Sequence, residues 1–118
     1  MPKSSALVPV KQASPPESFS ERKVRREGMR WSILCRLDDS RPDTMVDLLL
    51  LTFIQAVRPD ATIRELRREL DYLADQNLLT IANAGDRWHL KLTYQGVNVI
   101  EYATPCPAGI ARPIQLDV

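Results

Sequence analysis

The residues best able to carry out metal or nucleophilic chemistry are few in this chain and lie far apart. There is one histidine, His89, and there are two cysteines, Cys35 and Cys106, with no CxxC pair. A metal site needs several ligands brought together, and a nucleophile needs a neighbouring base, and the sequence groups neither. The four glycines are isolated, so no glycine-rich loop is available to hold a phosphate. We therefore predict no enzyme activity, no metal site and no cofactor.

The sequence offers a second possibility, which is binding to double-stranded DNA through basic side chains. Arginines cluster just after position 62, and two further cations alternate with apolar residues near position 90. Arginine side chains match the geometry of phosphates and of guanine edges, and the first turn of a helix offers N–H groups to phosphate. The candidate DNA-binding residues are therefore Thr62, Arg64, Arg67, Arg68, Arg87 and Lys91.

Each of these assignments has a structural alternative. Arg64, Arg67 and Arg68 are spaced to form ion pairs with acids of the same predicted helix on a solvated face. These acids are Glu65, Asp71 and Asp75. The strand cations would equally form a solvated outer strand face. The basic stretch at 22–26 would either contact phosphate or extend a helix into solvent. A net charge of only +1 gives no separate indication of a nucleic-acid partner.

Length and composition set the remaining limits. A chain of 118 residues with 44% apolar and 26% charged residues fits one globular domain with a tail. Its apolar runs are too short to span a bilayer, and the amino terminus lacks a signal-peptide pattern. Cys35 has apolar neighbours and is expected to be a buried, reduced thiol. These features predict a cytoplasmic protein.

The chain divides into three parts by pattern. Residues 1–20 are rich in proline and serine and are predicted to be a disordered arm. Residues 21–103 carry regular periodicities and are predicted to form the domain. Residues 104–118 contain three prolines and are predicted to be an extended tail, laid across the domain by Ile110, Ile114 and Leu116.

Two helices are predicted in the first half of the domain. An apolar stripe that includes Met29, Ile33 and Leu37 predicts a helix that ends near Asp39, with 22–28 as an extension at its front. Thr44, with Asp47 as its capping-box acid, is expected to open a second helix. That helix is apolar almost all round, and 48–51 are four consecutive leucines. Either the last helix and the tail cover these leucines, or they form a homodimer seam.

The second half predicts a helix, a hairpin and a last short helix. Thr62 and Glu65 form a capping box, and Asn77 is a suitable left-handed terminator. Runs at 78–82 and 87–92 flank a turn at 83–86, and Thr93 is placed to cap the last helix. The apolar core is expected to contain Leu34, Leu49, Ile54, Leu66, Leu70, Leu73, Trp88 and Leu90.

This order of elements favours a mainly α fold with a small β-hairpin (α+β), and the sequence also resembles a known family. RELRRELDYLADQNLLTI at 64–81 and LTYQGVNVIE at 92–101 resemble the third helix, wing and last helix of winged helix-turn-helix proteins. The tail PCPAGIARP is similar to small winged-helix proteins of Mu-like prophages. The resemblance implies a three-helix core plus wing, and a DNA-binding or regulatory role. The alternatives are a protein-interaction module in a phage assembly or packaging complex, or structural scaffolding.

Overall fold

The computed structural model describes residues 18–115. Its helices are α1 (Phe19–Asp39), α2 (Asp47–Val57), α3 (Ile63–Asp75) and α4 (Tyr94–Ile100). Its strands are β1 (Met45–Val46), β2 (Leu79–Ala84) and β3 (Arg87–Leu92), which form one antiparallel sheet in the order β1-β3-β2. The described part of the chain is therefore an α+β fold, as predicted. None of its helices is both long and apolar enough to cross a membrane.

Helix α1 begins two residues inside the range predicted as a disordered arm, and residues 1–17 of that arm lie outside the described residues. Ser18 caps the helix: its hydroxyl accepts a hydrogen bond from the Glu21 N–H at 3.0 Å, and Glu21 accepts one from the Ser18 N–H at 2.8 Å. The hydrogen bond from the Ser18 N–H, and after it the one with the Ser18 side chain, stabilises the carboxylate and lowers the pKa of Glu21. The helix runs unbroken through Gly28, where a Cβ would lie 2.6 Å from the Arg58 guanidinium. The predicted front extension and the buried stripe are both confirmed.

The predicted start of the second helix is wrong. Thr44 does not cap a helix, because the next two residues form strand β1, which pairs with Leu90 and His89 of β3. Helix α2 begins at Asp47, and no side chain caps it. Asp47 is fully buried and accepts hydrogen bonds from Arg67 and from a backbone N–H of β3. A two-residue strand is too short to produce an alternating pattern, so β1 could not be predicted from periodicity.

Helix α3 and the hairpin follow the predicted order closely. Thr62 accepts a hydrogen bond from the Glu65 N–H at 3.1 Å, which is one half of the predicted capping box. The helix is followed by Asn77 in the left-handed region, with φ 63°, as predicted. The hairpin loop is only Gly85–Asp86, shorter than predicted, and Gly85 supplies the positive φ of 68° that a two-residue loop favours.

The predicted core is confirmed at six positions and wrong at Leu49, which is 52% exposed. Trp88 is half-buried rather than enclosed. The buried side of α2 consists of Asp47, Leu50 and Ile54, so Leu49 lies away from the core. The buried positions are Leu34, Ile54, Leu66, Leu70, Leu73 and Leu90.

The tail contacts α1, and fewer of its side chains pack on the domain than predicted. Ile110 is buried, and the Ala111 N–H donates to the Glu27 carbonyl at 3.1 Å. Ile114 is 86% exposed, and Leu116 lies outside the described residues. Helix α4, capped by Thr93 as predicted, packs against α1 and β3. Leu48 and Leu49 are about half exposed, so the prediction that α4 and the tail cover them is wrong.

Candidate nucleic-acid interface

The exposed surface of α3 carries two of the predicted DNA-binding arginines. Arg64 and Arg68 lie one turn apart and are both exposed, and together with Ile63 and Asp71 they line an open groove along the helix. Within residues 18–115 neither arginine makes an ion pair, and neither does Asp71. The intrahelical ion pairs that the spacing allowed are therefore not formed. The two guanidinium groups are open to a ligand.

Arg67 differs from the other two arginines of α3, because its side chain is bonded within the protein. Its Nε donates to Asp47 at 2.8 Å, and another guanidinium nitrogen donates to the Asp86 carbonyl at 2.6 Å. The guanidinium carbon also lies 4.7 Å from the centre of the Trp88 ring. These contacts use most of the donors of the side chain. Arg67 connects α3 to the start of α2 and to the hairpin loop.

The predicted strand cations lie on the outer face of β3. Arg87 and Lys91 are exposed, and His89 between them is half-buried. Within the described chain no ion pair involves either cation. Thr62 is exposed at the start of α3, where its hydroxyl oxygen already accepts the Glu65 N–H. Arg87 therefore adds an exposed positive charge next to the hairpin loop.

The first half of α1 lies beside α3 and brings further arginines to the same surface. A cavity of about 320 Å³ between the two helices is lined by Arg22, Arg25, Arg26, Asp60, Glu65, Arg68 and Glu69. Arg25 is bonded to Glu65 at 2.6 Å and to Asp60 at 3.0 Å. These contacts raise the pKa of Arg25 and hold the pKa of Asp60 below its ordinary value. Arg25 thus offsets part of the negative charge of Glu65 and Asp60 beside the α3 arginines.

Glu69 is neutralised from the same helix. It is only 1% exposed, and one of its carboxylate oxygens accepts a hydrogen bond from Arg30 at 2.7 Å. Arg30 also donates to the Gly109 carbonyl at 2.9 Å and lies over the Tyr72 ring at 3.5 Å. The other oxygen, Oε2, has no hydrogen-bond partner among residues 18–115. Burial and pairing therefore remove the Glu69 charge from the surface of α3.

Sequence reasoning missed the roles of Arg25 and Arg30. Their partners lie 40 and 39 residues further along the chain, on a different helix. By sequence alone, α3 contains more acids than bases. With Glu65 and Glu69 compensated from α1, the exposed first half of the helix is positive, and the exposed acids Asp71 and Asp75 lie in the second half.

Comparisons with family models, with curated proteins and with solved structures find no significant match to this chain.

Proposed function

We propose that the chain is a winged helix-turn-helix protein that binds double-stranded DNA through the first half of α3. The order helix, strand, helix, helix and hairpin supports this assignment, as does the position of β1 at the edge of the hairpin sheet. A short link at 58–62 joins α2 to α3, as a helix-turn-helix requires. In such proteins the second of these helices enters the major groove.

One observation carries the proposal. Arg68 lines both the groove along α3 and the cavity between α1 and α3. It therefore lies between the α1 arginines, including Arg26, and Arg64 of α3. Neighbouring cations of this kind attract the phosphate backbone, because each cation that contacts a phosphate releases condensed counterions. The ion pairs of Glu65 with Arg25 and of Glu69 with Arg30 reduce the opposing negative charge.

We propose different contacts for different cations. Arg64 and Arg68 project from the helix that would lie in the groove, where an arginine fork can bond a guanine edge. Arg26, which lines the cavity beside that helix, and Arg87 of the hairpin would contact phosphates, which position the protein but carry no sequence information. Asp71 would repel a backbone, so α3 would approach with its first half.

A binding titration tests the proposal. We expect wild-type protein to bind both a mixed-sequence duplex and a duplex from its own locus at low salt, with affinity falling steeply as salt rises. The double variant Arg64→Ala, Arg68→Ala should bind both more weakly. The variant Arg41→Ala is the control, because it also removes an exposed arginine. Arg41 lies beyond the end of α1 and is paired with Asp38. Absence of binding to either duplex at low salt would overturn the proposal.

The second candidate function is a protein-interaction module that binds no DNA. The observation that favours it is the exposed apolar surface at the start of α2, where the adjacent side chains of Leu48 and Leu49 are 48% and 52% exposed. Exposed apolar side chains that lie next to each other commonly mark a protein contact. The low-salt titration separates the two functions, because even weakly cationic surfaces bind DNA under those conditions.

A further inference from the structure

The outward face of α2 carries no charge. Between Leu48 and Val57 the helix has no ionisable side chain. Its buried side is formed by Asp47, Leu50 and Ile54, and the opposite side is exposed to solvent along its whole length. The surfaces of α1, α3 and β3 all carry exposed charges. The α2 face therefore differs in charge from the exposed faces of α1, α3 and β3.

The polar groups on this face are already bonded within the protein. The Thr52 hydroxyl donates to the Leu48 carbonyl at 3.2 Å, and the Gln55 amide donates to the Ala61 carbonyl at 2.9 Å. A charged peptide or a phosphate would gain neither a cation nor a strong donor here, and its own desolvation would be uncompensated. The face fits an uncharged partner surface.

The side chains along this face also complement themselves in size. Leu48, Thr52 and Ala56 follow one another at i, i+4 and i+8, so they lie in one row that runs from large to small. When two such helices pack antiparallel about Thr52, Leu48 of each copy lies opposite Ala56 of the other. Large side chains then fill the space above small ones, as close helix packing requires.

We propose that α2 is a self-association face, and that its occupant is the α2 helix of a second copy related by a two-fold axis near Thr52. A two-fold contact uses the same patch on both subunits, so the patch must complement itself. The row of Leu48, Thr52 and Ala56 meets this condition, because it is uncharged and its large end lies opposite the small end of the second copy. The mixed charges at its edge, among them Arg36 and Asp39, which are 3.7 Å apart, add no one-sided repulsion.

The neighbouring surface enlarges the contact. Between α1 and α2 lies a cavity of about 340 Å³ whose lining includes Trp31, Phe53 and Val57. An 11-residue helix is only about 16 Å long. One such helix alone gives an interface at the low end of the range for stable complexes. We therefore expect a weak, reversible dimer that forms as the protein concentration is raised.

Sedimentation equilibrium of the full chain tests the face. Wild-type protein should pass from monomer to dimer as its concentration rises, and Leu48→Glu should weaken the dimer by about tenfold or more, because it places an unpaired charge in the contact. The matched control is Tyr94→Glu, which changes an apolar residue that is 82% exposed on α4. Circular dichroism of both variants checks that they fold. A wild-type monomer at all concentrations, or equal effects of the two variants, overturns the proposal.

Cross-linking tests the antiparallel register. If Thr52 lies at the two-fold axis, Thr52→Cys should form an intermolecular disulfide under mild oxidation, because its Cα and that of the second copy lie close enough to bridge. Tyr94→Cys is the control for random collision and should give far less dimer. A wild-type protein that dimerises while Thr52→Cys gives no more cross-link than Tyr94→Cys overturns this arrangement. DNA plays no part in these measurements, so they succeed or fail independently of the proposed function.

Discussion

Arg67 forms an ion pair with a carboxylate that is completely enclosed: Asp47 has no exposed surface, and its Oδ2 lies 2.7–2.8 Å from two guanidinium nitrogens. The other carboxylate oxygen accepts the Trp88 N–H at 3.4 Å. Three elements meet at this pair: the start of α2, the middle of α3 and the hairpin. Asp47 therefore connects these elements through its carboxylate, and it does not serve as the acid of a capping box.

Removing Arg67 should destabilise the fold strongly. In Arg67→Ala the Asp47 carboxylate stays buried without its cation, and breaking a buried pair from one side costs about 3–5 kcal/mol. Because the Arg67 side chain is 30% exposed, we expect the lower part of that range. The free energy of unfolding from urea denaturation measures it. Arg41→Ala, which breaks an exposed pair, should cost less than about 1 kcal/mol. Equal losses in the two variants would show that the Asp47 pair has no special role.

Arg67 should also determine whether the hairpin contributes to DNA binding, if the proposed function holds. Arg67→Lys keeps the charge but cannot bond Asp47 and the Asp86 carbonyl together. We expect Arg87→Ala to weaken DNA binding in the wild-type background and to have a much smaller effect in the Arg67→Lys background, because the hairpin is no longer held beside α3. A double-mutant cycle on the dissociation constant measures the coupling. Additive effects would mean that Arg67 does not position Arg87.

Truncation of two leucines tests the assignment of the core. Leu70 is 0% exposed, so Leu70→Ala should cost about 2–5 kcal/mol of unfolding free energy. Leu49 is 52% exposed, and Leu49→Ala should cost well under half as much, about 1 kcal/mol or less. Thermal or urea denaturation at low protein concentration compares them while dimers are dissociated. A larger loss for Leu49 than for Leu70 would show that α2 is turned differently from the structure described.

These two leucines also show what the sequence can and cannot predict. In α3 the apolar positions are separated by polar ones, so the periodicity identifies the buried face, and Leu66, Leu70 and Leu73 are found there. In α2 nearly every position is apolar, so the sequence does not determine which side faces inward. The roles of Arg25 and Arg67 depend on partners 40 and 20 residues away in the chain. Local spacing contains no signal for contacts of that kind.

The contact between Arg25 and Asp60 predicts a pH dependence. The hydrogen bond from Arg25 lowers the pKa of Asp60 from its ordinary value of 3.8. A carboxylate whose folded pKa is depressed stabilises the protein above its unfolded pKa, and this contribution is lost as pH falls through the folded pKa. The stability difference between wild type and Asp60→Asn should therefore be largest near neutral pH and be lost as the pH falls below 3.8, through the lowered folded pKa. Asp75→Asn is the control, because Asp75 is exposed and makes no ion pair within residues 18–115. A difference that grows on acidification would contradict the assignment.

The last prediction separates base contacts from phosphate contacts. Arg26 of α1 should contact only phosphate, so Arg26→Ala should weaken binding to all duplexes alike and reduce the salt slope by about one unit. Arg64 lies on the helix that would enter the groove, so Arg64→Ala should also remove about 1–3 kcal/mol of discrimination between the preferred sequence and others. Titrations of both variants against two duplexes at three salt concentrations measure both quantities. Point variants are needed here, because deleting the basic stretch would remove the first turns of α1, which begins at Phe19. If Arg26→Ala altered discrimination and Arg64→Ala did not, α1 rather than α3 would be the helix that reads the bases.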